Sequence, residues 1–284
     1  MTDPAALQKL ITWLSPAFPV GSFAWSAGLE AAIADRRVTD SERLQNWIEG
    51  ALAHGGIRTD AILLAQAWRA AGETALGAGT TGRREPPPTP VPSPQGGGRP
   101  ALGSLRPTGT EHADGVSLPL AGRGQGWGST ATGYGDRAAA LSDLADLSLA
   151  LTASRERWME TTITGDNYVL AAKHWPTDIL ARLPQPCPYP IAVGAIAAAH
   201  DIELIDTLLA WLTATVHGQI SVAVRLVPLG QSDGLSVLAA LEPRVAALAA
   251  SAATATLADL GAIAYAADIA QMRHETLEPR IFRS

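Results

Sequence analysis

The sequence predicts an all-α fold. Three observations carry this. Apolar residues recur every three or four positions through most of the chain, Ala is abundant while aromatics reach only 5%, and no stretch sustains period-two alternation. With 284 residues and 47% hydrophobic content, the chain can bury a sizeable core. A single helical domain of about eight to eleven helices is expected, interrupted by one disordered insertion.

Asp3 followed by Pro4 reads as an N-cap and first-turn pair, and Leu7, Leu10, Ile11 and Leu14 then give an apolar stripe over residues 3–14. Pro16 and Pro19 bar a helix in the elbow that follows, 15–30. Gly21 frees a tight turn there, Ser22 is placed to cap a new helix, and Phe18, Phe23 and Trp25 are large apolar anchors. Beyond the elbow, Leu29 and Ile33 continue the stripe to about Asp35, with Glu30 at its border, where a lone Glu is ordinarily solvated.

Asp40 or Ser41 caps the next helix, whose face is Leu44, Trp47, Ile48 and Leu52, and Gly55-Gly56 ends it. A further helix spans 59–71. From Gly77 to Gly135 Pro and Gly dominate and no hydrophobic period survives, so this segment is expected to be disordered. Helical signal resumes at Asp136 with Leu141, Leu144, Leu147 and Leu151. It continues from Ser154 through Tyr168 and Ala172 to a stop at Pro176. Gly165 in that run implies a backbone packed closely against it. Residues 191–200 form a small-residue helix, and 203–227 the longest. Ser232 or Asp233 caps a helix to about Leu248, and a last one runs from about Thr254 to Glu275. Pro279 leaves Arg280 to Ser284 as a basic, amphipathic tail. The division is therefore 1–76 and 136–278 for the helical domain, 77–135 for the insertion and 279–284 for a C-terminal docking tail, with Phe282 free of the core.

A net charge of -6 and a pI near 5.5 argue against nucleic-acid binding. Cys187 is the single cysteine, which excludes an intrachain disulfide and any Cys-rich metal site. The N-terminus has no basic segment of a secretory signal, so a cytoplasmic protein is expected. The window 207–224 is apolar, but its periodicity suits a buried core helix better than a membrane span, with His217 as a satisfied core histidine. No phosphate-binding glycine loop occurs, and the six histidines are scattered without partners at metal-ligand spacing. The residues thus point to no catalytic group, no cofactor and no bound metal, and favour a scaffold. Two other classes stay open: an enzyme with a carboxylate and amine site at Glu30 and Lys173, and a membrane-associated helical protein using 207–224.

Four ordered motifs add a resemblance. The elbow Ser-Pro-Ala-Phe-Pro-Val-Gly-Ser-Phe-Ala-Trp-Ser-Ala-Gly-Leu-Glu (15–30) resembles the N-terminal signature of the UreF family of urease accessory proteins. Ser154-Arg155-Glu156-Arg157 is similar to that family's mid-chain Ser-Arg-Glu element, and Pro228-Leu229-Gly230-Gln231-Ser232-Asp233-Gly234 to its Pro-Leu-Gly-Gln-Thr-Asp-Gly turn. Met272 to Thr276, with Leu277 to Ser284, resembles its terminal Met-Arg-His-Glu-Thr and Arg-Leu/Ile-Phe-Arg-Ser tail.

The resemblance implies an all-helical, non-enzymatic, dimeric chaperone. It would bridge the urease apoprotein, through the D/H-type accessory protein, to the G-type GTPase, whose GTP hydrolysis drives nickel delivery. Nickel and GTP then belong to the accessory complex and the partner GTPase, and this chain needs no cofactor. Partner-binding residues are expected in the elbow (Pro19, Gly21, Phe23, Trp25, Ser26, Glu30) and in the tail (Arg273, His274, Glu275, Arg280, Ile281, Phe282, Arg283). Aromatic anchors flanked by arginines suit such surfaces.

Overall fold

The computed structural model describes residues 3–72, 135–261 and 263–284. The expected disorder of 77–135 falls almost wholly outside the described residues. Among those described there are ten α-helices and no strand, as the periodicity predicts.

Helix α1 (Pro4–Trp13) begins where the Asp3 carboxylate accepts from the Ala6 N–H at 3.3 Å. Its buried face is Ala6, Leu10 and Trp13, while Leu7 and Ile11 point outward. The expected stripe is therefore rotated. Trp13, the largest side chain, takes the core position and meets the edges of Tyr168, Trp175 and His200 at ring-centroid distances of 6.4, 5.6 and 5.1 Å. In the elbow, Gly21 takes the left-handed conformation (φ 76°) and a short 3-10 turn, Ser22–Ala24, follows without any side-chain cap from Ser22. Gly28, also left-handed at φ 79°, starts α2 (Leu29–Ala34).

Helix α3 (Ser41–His54) is capped by the Asp40 carboxylate, which accepts from the Arg43 N–H at 2.9 Å. Leu44, Ile48 and Leu52 are buried. Helices α4 (Gly56–Gly72), α5 (Gly135–Ala150), α6 (Arg155–Ala172) and α7 (Tyr189–Ala199) follow. α4 and α7 make the most extensive helix pair and form the centre of the core. Gly194 permits that approach: a Cβ there would lie 2.3 Å from the Leu64 carbonyl oxygen. Gly165 does the same for α6, where a Cβ would lie 1.9 Å from the Cys187 carbonyl oxygen. The close backbone contact that its mid-helix position predicts is thus present.

Helices α8 (Leu204–Leu226) and α9 (Gln231–Ala252) pack on one another. Each is long and apolar enough to cross a bilayer by length and composition. Here α8 gives Leu208, Trp211, Leu212, Val216 and Ile220 to the core, the role its periodicity predicts, and α9 gives Val237, Leu241 and Val245. His217, however, is exposed, because it lies on the side of α8 turned away from Leu212 and Val216. It is not a core histidine. α9 starts at Gln231, where Asp233 accepts from the Gly230 N–H at 2.9 Å.

The single helix expected over 254–275 is broken. After Ala252 the chain makes a 3-10 turn, Leu257–Asp259, in which the Asp259 carboxylate accepts from the Thr256 N–H (2.8 Å) and hydroxyl (2.9 Å). Gly261 then turns at φ 108°, and α10 (Tyr265–His274) begins afresh. Short polar side chains that bond locally to the backbone outcompete an Ala-rich helix at this point.

Candidate functional site

The elbow, α2, the first turn of α6, the last turn of α10 and the tail all meet at one place. Gly28 brings them together. A Cβ on it would lie 2.7 Å from the Gln271 backbone nitrogen, so only glycine lets α2 start directly against α10.

Glu30, in the first turn of α2, is buried. Its Oε1 accepts from the Ile281 N–H at 2.7 Å, and its Oε2 from the Phe282 N–H at 2.9 Å. The same Oε2 lies 2.9 Å from His274 Nε2. Glu156, the second residue of α6, is likewise buried in a helix first turn, where the backbone favours a negative side chain. Its Oε2 is 2.7 Å from His274 Nδ1, and its Oε1 accepts from Arg280 Nη1 at 2.5 Å.

His274 is 0% exposed, and both of its ring nitrogens face carboxylate oxygens. Glu30 and Glu156 thus bracket the ring, and the Arg280 guanidinium lies against Glu156, so each buried carboxylate has polar partners in place of the water that it gives up.

Backbone bonds complete the clamp. The Arg283 N–H donates to the Ala24 carbonyl at 2.8 Å, and the Ser26 N–H to the Ser284 carbonyl at 2.7 Å. The Ser26 hydroxyl also donates to the Ser284 carbonyl, while the Ala27 N–H donates to the Ser284 hydroxyl at 3.2 Å. Gln219 and Gln271 side-chain amides donate to the Ser26 and Ala27 carbonyls.

The tail is therefore part of the folded body. Phe282 is only 4% exposed and belongs to the main core, which corrects the expectation that it stands free of it. The physical reason is Glu30: once buried beside His274, its oxygens take the two tail N–H groups and draw Phe282 inward. A solvated Glu at the border of a stripe, as the spacing alone implies, would not do this. The Arg225 guanidinium sits 5.8 Å from the Phe282 ring centroid, and Arg283 sits 5.8 Å from the Trp25 ring.

The sequence-derived residues divide into two sets. Trp25, Ser26, Glu30, His274 and Phe282 are buried and hold the clamp. Pro19, Phe23, Arg273, Glu275, Arg280, Ile281 and Arg283 are exposed around it, and Gly21 is half-buried in the turn. Among the exposed ones, Arg273 pairs with Asp35 at 2.7 Å and Glu275 accepts from the Arg155 N–H at 2.9 Å. Glu156, Gln271 and Ser284 complete the site and were missed as site residues. Glu156 had a visible signal, since it lies within the Ser-Arg-Glu element.

Lys173 does not join Glu30. It is exposed at the far end of α6, about 25 Å along the helix from Glu156 at 1.5 Å per residue. Every Glu30 and Glu156 oxygen has a hydrogen-bond partner within the clamp. Among the described residues, no group of three or more His, Cys, Asp or Glu is placed to hold a metal ion.

The UreF family model matches residues 38–82 and 114–242. A urease accessory protein UreF from Agrobacterium fabrum is 38% identical over 280 residues, covering 99% of this chain and 97% of the relative. One from Rhizobium etli is 37% identical over 279 residues, with 98% and 96% covered. A protein named urease accessory protein UreF 1, from Brucella canis, is 35% identical over 285 residues, with 99% and 96% covered. The coverage is nearly complete on both sides, so these relatives are close to this chain in length. Matched by the family model over more than half of its length, and by these relatives almost end to end, the chain belongs to the UreF family of urease accessory proteins.

Proposed function

We propose that this protein is a non-enzymatic scaffold of urease maturation. It links the urease apoprotein and the D/H-type accessory protein to the nickel-carrying G-type GTPase, and so supports GTP-dependent nickel insertion in the cytoplasm. The observation that carries the reading is the clamped tail. Its backbone is fixed by Glu30, Ala24 and Ser26, yet Ile281 is 75% exposed and Arg283 points outward beside it. A rigid loop that shows an aliphatic anchor and a cation is suited to docking, because its ordering cost is met before a partner arrives. Phe23, 66% exposed in the elbow, extends the same surface.

Self-association as a homodimer is part of the proposal. Tyr265, Ile269 and Met272 stand exposed at helical spacing on the outer side of α10, an apolar strip suited to a second copy.

The test is co-purification of the full chain with the D/H-type protein and the GTPase, with and without GTP and nickel. Ile281→Glu together with Arg283→Glu should abolish capture while the helical signal and thermal midpoint stay unchanged. Undiminished capture by that folded double variant would overturn the docking role of the tail.

A further inference from the structure

Arg225 and Arg283 are exposed, and each lies over an aromatic ring. Arg225 comes from the last turn of α8 and sits 5.8 Å from the Phe282 ring centroid. Arg283 comes from the tail and sits 5.8 Å from that of Trp25. Among the described residues, neither guanidinium pairs with a carboxylate. The neighbouring arginines are committed: Arg280 donates to the buried Glu156, and Arg273 pairs with Asp35.

A guanidinium over a ring uses its flat side there and keeps its N–H edge for an acceptor. Both supporting rings are only 4% exposed, and the Arg283 N–H is held by the Ala24 carbonyl. The two cations are thus carried on fixed bases, which lowers the ordering cost when a partner docks. Ile281, 75% exposed, stands in the same loop as an aliphatic contact.

The surroundings say what such a pair suits. The segment also exposes two acids, Glu275, which accepts from the Arg155 N–H, and Glu278. An anionic bilayer or a nucleic-acid backbone is held by broad positive charge, and this face mixes both signs around an aliphatic side chain. Two arginine forks beside one apolar anchor match discrete carboxylates at the border of an apolar patch on a protein.

We propose that Arg225 and Arg283 bind Asp or Glu side chains of an acidic protein surface that also covers Ile281. Arg225, which no sequence motif singles out, then joins the tail in one docking face. The inference rests on the scaffold reading above and adds the chemistry of the partner surface.

The test is the affinity of the full chain for the purified D/H-type protein, measured by titration calorimetry at two salt concentrations. At about 0.05 M NaCl, Arg225→Gln and Arg283→Gln should each weaken binding about fivefold, the upper effect of an exposed ion pair. At about 0.5 M the difference from wild type should shrink, because exposed charges are then screened. Arg225→Lys, which keeps the charge but not the fork, should fall between wild type and Arg225→Gln. If a glutamine variant does not fold, the wild-type series decides, and an affinity that does not fall with salt overturns the proposal. Unchanged affinity in both folded glutamine variants, with Ile281→Ala still weakened, would overturn it and leave the scaffold reading standing. No binding by wild type at either salt would overturn that reading and this inference with it. Capture of phosphatidylglycerol vesicles by wild type, lost in Arg225→Gln, would assign the arginines to a membrane and overturn the proposal.

Discussion

His274 Nδ1 lies 2.7 Å from Glu156 Oε2, and this contact joins the first turn of α6 to the last turn of α10. Glu156 is the hinge of the clamp because its other oxygen holds Arg280. Glu156→Gln replaces the charged partner of the fully buried His274 ring by an amide, whereas Arg280, nearly half exposed, is screened by water. A loss of about 2–3 kcal/mol in chemical denaturation is expected, within the range for a hydrogen bond to a charged group. Unchanged stability would mean that His274 does not depend on Glu156.

Neighbouring tail residues should behave oppositely. Phe282→Ala empties a core position and should cost about 3–5 kcal/mol. Ile281→Ala alters an exposed side chain and should change stability by no more than about 0.5 kcal/mol, while weakening partner capture. Equal losses in denaturant unfolding would show that the tail is not seated with Phe282 inward.

Gly21 and Gly28 share a left-handed backbone but not surroundings. A Cβ on Gly21 meets nothing within 4 Å, so Gly21→Ala should cost only the conformational penalty of about 1–2 kcal/mol. On Gly28 it collides with the Gln271 backbone, which adds about 1–3 kcal/mol of overpacking and displaces α10. Amide exchange at Ile281 and Phe282 should rise in Gly28→Ala and stay protected in Gly21→Ala. Equal protection in both would exclude Gly28 as the contact that sets the clamp.

Much of the fold was legible because the helices that pack the core keep their period: Leu44, Ile48 and Leu52, or Leu208, Leu212 and Val216, are read from spacing alone. The cap at Asp3 was equally local, as was that at Asp40, read as Asp40 or Ser41, whereas the Ser154 cap went unread. The break in the helix expected over 254–275 is local, but two other failures share a cause, which is that long-range partners outweigh local rules. Leu7 and Ile11 lost the inner face of α1 to Trp13, whose ring partners come from α6 and the residues beyond it. Glu30 looked like a solvated border residue because its partners lie 244 and 251 positions away. The motif resemblance singled out the elbow and the tail as separate segments, but no spacing rule says that they bond to each other.

His200 gives a pH dependence whose sign is fixed. It packs against Trp13, and its Nε2 lies 3.3 Å from the Trp175 carbonyl. Burial lowers its pKa first, and the like charge of Lys9 lowers it further; the Trp175 carbonyl and Asp201 oppose this only in part. In the unfolded chain the ring returns to about 6.5. Between the lowered folded value and that one, the unfolded chain binds more protons, so stability rises with pH across the window. The contribution is fully present above about pH 6.5 and is lost as pH falls through the folded value. His200→Gln should therefore flatten the acid side of the stability curve while leaving the neutral side level. Lys9→Gln should bring the folded His200 titration midpoint, followed by proton NMR, back toward 6.5. A wild-type midpoint at or above about 6.5 would reverse the sign and refute the account.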